Sequence, residues 1–157
     1  MKIRRAVAAD LAQLIALGDQ VSSAAHWSQQ QWLDIFHLQS PVRIAWIAEA
    51  NPKDAERNCA SGSPVGFLVA QCGPEWELEN IVVAAAFRRC GIGRALLSVL
   101  VDEARTRQVE RILLEVRVSN HDALDLYLKS GFEQLARRSD YYRDPQEDAL
   151  ILVHSLR

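Results

Sequence analysis

The sequence predicts an α+β domain in which one mixed sheet of about seven strands is covered by about four helices. Its 157 residues, 49% of them apolar, are enough for one domain with its own core. Apolar residues recur with strand or helix periodicity in the order β α α β β β α β α β β. A helix between two strands in mid-chain indicates one parallel crossover. We therefore predict a single domain over residues 1–157.

The first half of the chain predicts a strand, two helices and a three-stranded antiparallel meander. "KIRRA" is a short strand, and apolar residues follow Asp10 at helical spacing. Ser28 is a suitable N-cap for a second helix over 28–38, in which Trp32 lies on the apolar stripe. The strands are expected at 43–49, 64–72 and 75–83, and a polar loop at 49–64 joins the first two.

The second half predicts the crossover and a closing pair of strands. An amphipathic helix of about 15 residues follows a glycine-containing turn and carries the apolar residues Leu96, Leu97, Leu100, Val101 and Ala104. "RILLEVRVS" is the next strand, and "NHDALDLYLKSG" is a helix that Gly131 ends. Segments near 132–139 and 147–155 complete the sheet.

Composition excludes several classes of function. A net charge of −2 gives no basic field for broad nucleic-acid binding. No segment has 18 uninterrupted apolar residues, and Asp10 and Gln13 break the apolar run that follows the basic start, so we expect neither a membrane span nor a signal peptide. The expected location is cytoplasmic. Nothing in the sequence indicates the oligomeric state.

The cysteines and histidines predict no metal site. Three cysteines are spaced 13 and 18 residues apart, which matches no zinc pattern and indicates reduced thiols. The four histidines show no mutual metal-ligand spacing. The residues concerned are Cys59, Cys72, Cys90, His26, His37, His121 and His154.

The turn "FRRCGIGRALL" at 87–97 is a candidate anion site. A glycine turn that enters a helix N-terminus exposes unpaired backbone N–H groups. Gly91 and Gly93 would remove Cβ atoms and permit positive φ, and the arginines would favour a diphosphate. No Gly-Lys-Ser/Thr is present, and Leu96 occupies the third glycine place of GxGxxG. Read by itself, the turn could equally be a simple glycine turn with its arginines in solvent.

The block "Arg88-Arg89-Cys90-Gly91-Ile92-Gly93" resembles the R/Q-x-x-G-x-G/A signature of the GNAT superfamily of acyl-CoA-dependent N-acetyltransferases. "ELENIVV", "LEVRVSNHDALDLYLKSGF" and "ARRSDYYRDPQEDALIL" resemble its RimI branch, which acetylates the N-terminal amine of a ribosomal protein. His26 stands where that branch often has proline, and Cys90 where it usually has a polar or basic residue.

The resemblance implies acetyl-CoA as cofactor, with CoA as product. Its pyrophosphate would bind the amides of residues 88–94, and its pantetheine arm would run between splayed parallel strands at 77–83 and 111–118. A backbone N–H in that gap can stabilise an oxyanion, and such a donor typically lowers the barrier by about 3 kcal/mol. The implied cofactor-binding residues are Ile81, Val82, Val83, Arg88, Arg89, Cys90, Gly91, Ile92, Gly93, Arg94, Asn120 and Tyr127.

Two glutamates are candidates for the base. Glu115 interrupts the apolar strand "ILLEVRV", where burial should raise its pKa, and it matches the glutamate that RimI-type enzymes use as base. Glu77 stands 14 residues before Gly91, where many lysine-directed GNAT enzymes carry theirs. Each has a structural alternative: Glu115 could serve only as an ion-pair partner, and Glu77 could simply face solvent.

Asn120 and Tyr127 lie seven residues apart on one helical face. Without the resemblance, ordinary helix packing would explain this pair. By resemblance, Tyr127 would return a proton to the thiolate of CoA.

The acceptor is predicted less directly. Trp27, Tyr141 and Tyr142 are candidate substrate contacts. Trp27 and Trp32 are expected in the two early helices, where tryptophans at helical spacing are more often core residues. For Tyr141 and Tyr142, expected in the turn between the last two strands, packing is an equal alternative. The preferred reaction acetylates the N-terminal amine, most simply of alanine, on a ribosomal or other protein. The alternatives are acetylation of a lysine or small-molecule amine, and a CoA-binding sensor without catalysis.

Overall fold

The computed structural model describes residues 1–21, 24–57 and 59–157 and contains a seven-stranded sheet with four α-helices. This confirms the predicted fold class and element order. Asn58, in the predicted polar loop, lies outside the described residues. The strands are β1 Lys2–Arg5, β2 Arg43–Glu49, β3 Pro64–Gln71, β4 Trp76–Val83, β5 Arg111–Arg117, β6 Glu133–Tyr142 and β7 Glu147–Ser155. The helices are α1 Leu11–Asp19, α2 Gln29–Asp34, α3 Ile92–Thr106 and α4 His121–Lys129.

The sheet has the order β1-β2-β3-β4-β5-β7-β6. All neighbouring pairs are antiparallel except β4 and β5, which α3 connects as the predicted crossover. The last strand, β7, is inserted between β5 and β6. Residues of β6 therefore lie two strands away from β5, at about 9 to 10 Å.

Strands β4 and β5 pair over only three positions and then diverge. The register joins Trp76, Glu77 and Leu78 to Ile112, Leu113 and Leu114. Antiparallel pairing of β4 with β3, in contrast, continues to Val83. Beyond Leu78, β4 keeps one bonded edge and has an open edge toward β5, as the predicted splay requires.

A bulge in β4 lies at the start of this divergence. On β3, Val69 pairs with Asn80 and the next residue, Ala70, pairs with Leu78, so Glu79 is an extra residue. The bulge changes which side chains point to each face. Leu78 packs in the α3 core, whereas Val82 packs in the α1 and α2 core.

The two faces of the sheet bury separate cores. The apolar stripe predicted for α3 is buried on one face, with Leu96, Leu100 and Ala104 fully enclosed. On the other face α1 and α2 contribute Leu14 and Trp32. Helices thus lie on both faces of the sheet, as expected for a central mixed sheet, although β6 is exposed along almost its whole length.

The predicted start of α2 is confirmed in detail. The Ser28 hydroxyl accepts a hydrogen bond from the Gln31 backbone N–H at 3.2 Å, and the Gln31 side chain accepts one from the Ser28 N–H at 2.8 Å. This capping box satisfies two donors that the helix leaves unpaired.

Some predicted boundaries are wrong. Trp27, which we expected in a helix, precedes the N-cap of α2. Tyr141 and Tyr142, expected in a turn, are the last residues of β6, which runs beyond 139. The polar loop at 49–64 contains a 3₁₀ turn at Pro52–Arg57, and further 3₁₀ turns lie at Ala8–Asp10 and Ala85–Phe87.

No helix in the described part of the chain has the length and apolar character that a membrane span needs.

Asp10 fastens the start of α1 to the sheet edge. Its carboxylate accepts bonds from Arg4 at 2.8 and 2.9 Å and from the Val7 backbone N–H at 2.8 Å, while Arg4 Nε also donates to Glu49 at 2.6 Å. Asp10 is buried, and the hydrogen bonds from Arg4 lower its pKa below the usual range.

Asp10→Asn should lower the free energy of unfolding by about 1 to 3 kcal/mol at pH 7, because the half-buried Arg4 guanidinium loses its charged, buried partner. A lowered pKa stabilises the fold above the ordinary aspartate pKa, and this stabilisation is lost as pH falls through the folded value. The deficit of the variant should therefore shrink as pH falls below about 4. Urea unfolding of wild type and variant at pH 7 and below about pH 4 measures this deficit, with substitution of the exposed Asp102, Asp102→Asn, as control. An equal deficit at low pH would contradict this account.

Candidate active site

The turn between β4 and α3 has the geometry of an anion site. Arg89 and Gly91 adopt positive φ values of 60° and 82°, and α3 begins at Ile92. These angles turn the chain sharply, so that the first N–H groups of a 15-residue helix have no intrahelical partner. The Arg88, Arg89 and Arg94 side chains are exposed around the turn.

The two glycines of the turn have different roles. A Cβ on Gly91 would meet nothing within 4 Å, so this position is open and requires glycine for its left-handed backbone. The positive φ expected at Gly93 is wrong, because Gly93 lies inside α3. A Cβ there would approach Leu126 Cδ2 to 2.9 Å, so Gly93 allows α4 to pack closely on α3.

The open edge of β4 continues from this turn toward the gap. Ile81, Val82 and Val83 pair with β3 on one side, and their register with β5 has ended. Their backbone groups on the β5 side can therefore bond an added extended chain. The side chain of Ile92, another predicted cofactor residue, is buried in the α3 core, so only its backbone is available to a ligand.

Three carboxylates gather on the α1 and α2 face beside the gap. Glu115 alternates with the buried Leu114 and Val116 and so points to the opposite face from them. It is the first β5 residue beyond the last β4 pair, and it borders the opening. Glu77 is in register with Leu113, which lies two residues before Glu115 and on the same face. Glu79, the bulge residue, completes the group.

Each carboxylate has a different environment. Glu79 makes two hydrogen bonds with Arg43, at 2.6 and 2.9 Å. Glu115 is only half-buried and accepts one bond from Arg138 Nη1 at 3.2 Å. Glu77 is exposed by surface area, yet partial desolvation raises its pKa, and the neighbouring Glu79 and Glu115 raise it further.

Aromatic residues from the end of β6 surround Glu115. Interaction of the Tyr141 hydroxyl with the Glu115 carboxylate, together with desolvation, raises the pKa of Tyr141. Burial and the charge of Glu115 raise the pKa of Tyr142 to about 12. The two rings meet edge to face with 5.1 Å between centroids, and Arg117 lies 4.2 Å over the Tyr142 ring.

Tyr127 lies on the other side of the sheet from Glu115. It is buried in the α3 core against Phe132, and burial strongly raises its pKa. A phenol in this environment holds its proton and can donate it to a developing anion.

Asn120 is the N-cap of α4, and its Oδ1 accepts a bond from the Ala123 N–H at 3.3 Å. That acceptor is therefore engaged in starting the helix. The side-chain amide group remains for other contacts.

Trp27 packs on Trp32, with ring centroids 5.1 Å apart, and Trp32 in turn meets Phe67. Trp32 is thus a core residue, in agreement with the packing alternative. Trp27 is half-buried and keeps a surface next to α2.

Sequence reasoning missed Arg43, Arg138 and the bulge at Glu79. Arg43 and Glu79 are 36 positions apart, and Arg138 is 23 positions from Glu115, so only tertiary pairing brings them together. The insertion of β7 between β5 and β6 determines the second pair. The "ARRSDYY" block offered a signal, because its arginines stand beside the two tyrosines.

The family described as "Acetyltransferase (GNAT) family" matches residues 13–132. The "[Ribosomal protein bS18]-alanine N-acetyltransferase" of Escherichia coli strain K12 is 41% identical over 96 residues, which are 59% of this chain. The match spans 65% of that relative's own length, which is less than two thirds. The "N-alpha-acetyltransferase" of Sulfurisphaera tokodaii is 28% identical over 171 residues, covering 99% of this chain and 93% of the relative.

Solved structures share the whole architecture. The crystal structure of the ribosomal-protein-S18-alanine N-acetyltransferase from Escherichia coli superposes with a TM-score of 0.83 at 28% identity, covering 99% of this chain and 93% of that one. Arabidopsis thaliana NAA60 in complex with a bisubstrate analogue also reaches 0.83, covering 98% and 97%, but its 17% identity supports the fold alone.

Glu77→Gln should make the protein more stable than wild type at pH 7, because it removes an ionised carboxylate from beside two others. A raised carboxyl pKa stabilises the fold below the unfolded pKa, and this stabilisation is lost as pH rises through the folded value. The advantage of the variant should therefore diminish toward pH 4. Urea unfolding at both pH values tests this, with Glu110→Gln as a charge-matched exposed control. A variant less stable than wild type at pH 7 would count against the cluster.

Proposed function

The chain belongs to the GNAT acetyltransferase family, and from this premise we propose that it transfers the acetyl group of acetyl-CoA to the N-terminal α-amine of a protein. An N-terminal alanine of a ribosomal protein is the acceptor that we favour, in line with the name of the Escherichia coli relative. The proposal rests on one observation, namely that three features of the site lie in a row. The anion-binding turn, the open β4 edge and Glu115 follow one another along the β4–β5 gap.

The residues present fit acetyl-CoA. The exposed arginines and the N-terminus of α3 would hold its pyrophosphate, and the open position at Gly91 allows close approach of the phosphates. Ile81, Val82 and Val83 would bond its pantetheine arm through their unpaired backbone edge. When bound, the group supplies a thioester carbonyl for attack by an amine.

Glu115 is the proposed base, because it is the carboxylate that borders the opening. Glu77 precedes the last β4–β5 pair and lies one step further from the gap. Its raised pKa and exposure suit it to pass the proton on to solvent. Glu79 is committed to Arg43 on both oxygens and serves structure.

Tyr127 is the proposed acid. Glu115 and Tyr127 belong to opposite faces of the sheet, and the divergence of β4 and β5 is the place where groups from both faces can reach one reacting centre. Glu115 can therefore accept the proton of the amine while Tyr127 donates its proton to the thiolate of CoA. The two groups need not exchange a proton directly. The Asn120 amide would assist binding at the start of α4.

The acceptor should enter on the α1 and α2 face. Tyr141, Tyr142 and Trp27 lie on or beside that face and are the proposed substrate contacts. We place the reaction in the cytoplasm, where acetyl-CoA and newly made ribosomal proteins occur together.

An α-amine suits a site whose base is a partly exposed carboxylate. Deprotonating an amine with a pKa near 8 costs about 1.4 kcal/mol at pH 7, whereas a lysine with a pKa near 10.4 requires about 4.6 kcal/mol. Because the two pKa values differ by about 2.4, the neutral fraction of the α-amine is roughly 250-fold larger than that of the lysine.

Peptides that differ only in their first residue should be acetylated fastest when that residue is alanine. An N-terminally blocked lysine peptide should react about 250-fold more slowly, given the smaller neutral fraction of its amine. Mass spectrometry of products formed from acetyl-CoA measures both. Preference for the lysine peptide would replace this proposal by a lysine acetyltransferase, and binding of acetyl-CoA without transfer to any amine would support a sensor.

Glu115→Gln and Tyr127→Phe should each lower kcat by about 100-fold, the usual contribution of a positioned acid or base. Glu77→Gln should lower it by less than about tenfold, because it acts only on the onward proton. Binding of CoA to each variant checks that the fold is intact. If Glu77→Gln loses more activity than Glu115→Gln, the base is Glu77.

A further inference from the structure

The carboxylates at the gap outnumber their basic partners. Glu77, Glu79 and Glu115 face the guanidinium groups of Arg43 and Arg138, which leaves one negative charge in excess. The raised pKa of Glu77 reflects this excess in part. A site of this composition attracts a further cation, and at pH 7 about nine tenths of an α-amine with a pKa near 8 is ammonium.

The two ion pairs differ in how firmly they are held. Arg43 binds Glu79 through two nitrogens, and both side chains are only 17% exposed. Arg138 contacts Glu115 through one nitrogen at 3.2 Å and is 59% exposed. A single contact to an exposed guanidinium contributes little and is easily exchanged, whereas a bidentate, half-buried pair is not.

We infer that Arg138 occupies the acceptor's place on Glu115 as long as no acceptor is bound and that the acceptor ammonium displaces it. This inference rests on the proposed function, because it names how the amine of that reaction is received. Two cations on one carboxylate repel each other, and Arg138 has both the exposure and the length to leave. Its guanidinium already lies 5.5 Å from the Tyr141 ring, over which it can remain.

Arg138 is therefore a positioning residue that acts through Glu115. It keeps the carboxylate oriented toward the gap before the acceptor arrives, and it competes with the acceptor for that carboxylate. Removing it should strengthen binding of a cationic acceptor and leave acetyl-CoA binding unchanged, because the anion-binding turn lies at the other end of the gap.

Arg137 offers a matched control. It is the preceding residue on the same strand, it is 57% exposed, and it forms an ion pair with Asp148 at 2.7 Å. In register it stands beside Leu150, whereas Arg138 stands beside Ala149, so the two arginines point to opposite faces. Arg137→Gln removes the same charge from the same strand without touching Glu115.

The first experiment compares steady-state kinetics of wild type, Arg138→Gln, Arg138→Lys and Arg137→Gln on an alanine-first peptide. Arg138→Gln should lower the peptide KM about two- to fivefold, the range expected for loss of an exposed ion pair, with the acetyl-CoA KM unchanged. Arg138→Lys should restore most of the wild-type peptide KM, and Arg137→Gln should match wild type. An unchanged or raised peptide KM in Arg138→Gln would overturn the inference.

A second measurement separates failure of this inference from failure of the proposed function. Chemical-shift titration of the CoA-bound proteins with L-alaninamide measures binding of an ammonium without turnover. Arg138→Gln should bind it two- to fivefold more tightly than wild type, whereas binding of the uncharged N-acetyl-alaninamide should be equal in both. A wild-type protein inactive on every α-amine peptide ends the proposed function, but the titration still decides the role of Arg138. Equal alaninamide affinity, or binding to neither protein, refutes it.

Discussion

Strand β4 must pair with β3 along its length and with β5 over only three residues, and the candidate site depends on this unequal pairing. Because the β4–β5 register ends at Leu78 and Leu114, a row of β4 backbone groups faces a gap. The same strand leads directly into the turn before α3. One divergence therefore gives an open strand edge and places at its end a helix N-terminus with the geometry of an anion site. If β5 followed β4 to Val83, neither a cofactor arm nor a nucleophile could enter.

The bulge at Glu79 complements the divergence by redistributing side chains between the two faces. Before it, Trp76 and Leu78 fill the α3 core, and beyond it Val82 turns to the α1 and α2 core. The acidic side chains remain on the α1 and α2 face, and Tyr127 is held in the core on the other. A gap bordered by carboxylates on one face and by a buried phenol on the other has the polarity that acyl transfer to an amine requires. Arg43 offsets part of this negative charge, because it forms an ion pair with Glu79, the bulge residue.

The sequence was sufficient to predict features that depend on local patterns. Hydrophobic periodicity predicted every strand and helix, and the Ser28 cap was read correctly because a capping box spans only four residues. Features that depend on partner choice were not predictable. Nothing local states that β7 inserts between β5 and β6, that Glu79 is an extra residue, or that Gly93 faces Leu126. The environment of Glu115 belongs to this second group. An apolar strand suggested a buried carboxylate, whereas Glu115 is half-buried and its partner Arg138 comes from a strand two positions away.

The insertion of β7 explains how a residue of the edge strand reaches the gap at all. Across the sheet, Arg138 is in register with Ala149, and Ala149 with Arg117, so a small, fully buried side chain lies between the two arginines. A methyl group there leaves room for a long side chain from β6 to pass over β7 and contact Glu115. A short side chain at position 138 could not span the two strand spacings of about 9 to 10 Å, whereas the long side chains of arginine and lysine can. The edge strand thus contributes to the proposed acceptor side of the gap, while β4 and α3 form the proposed cofactor side. Because these elements share few contacts, substitutions in β6 can alter the reception of the amine without disturbing the anion-binding turn.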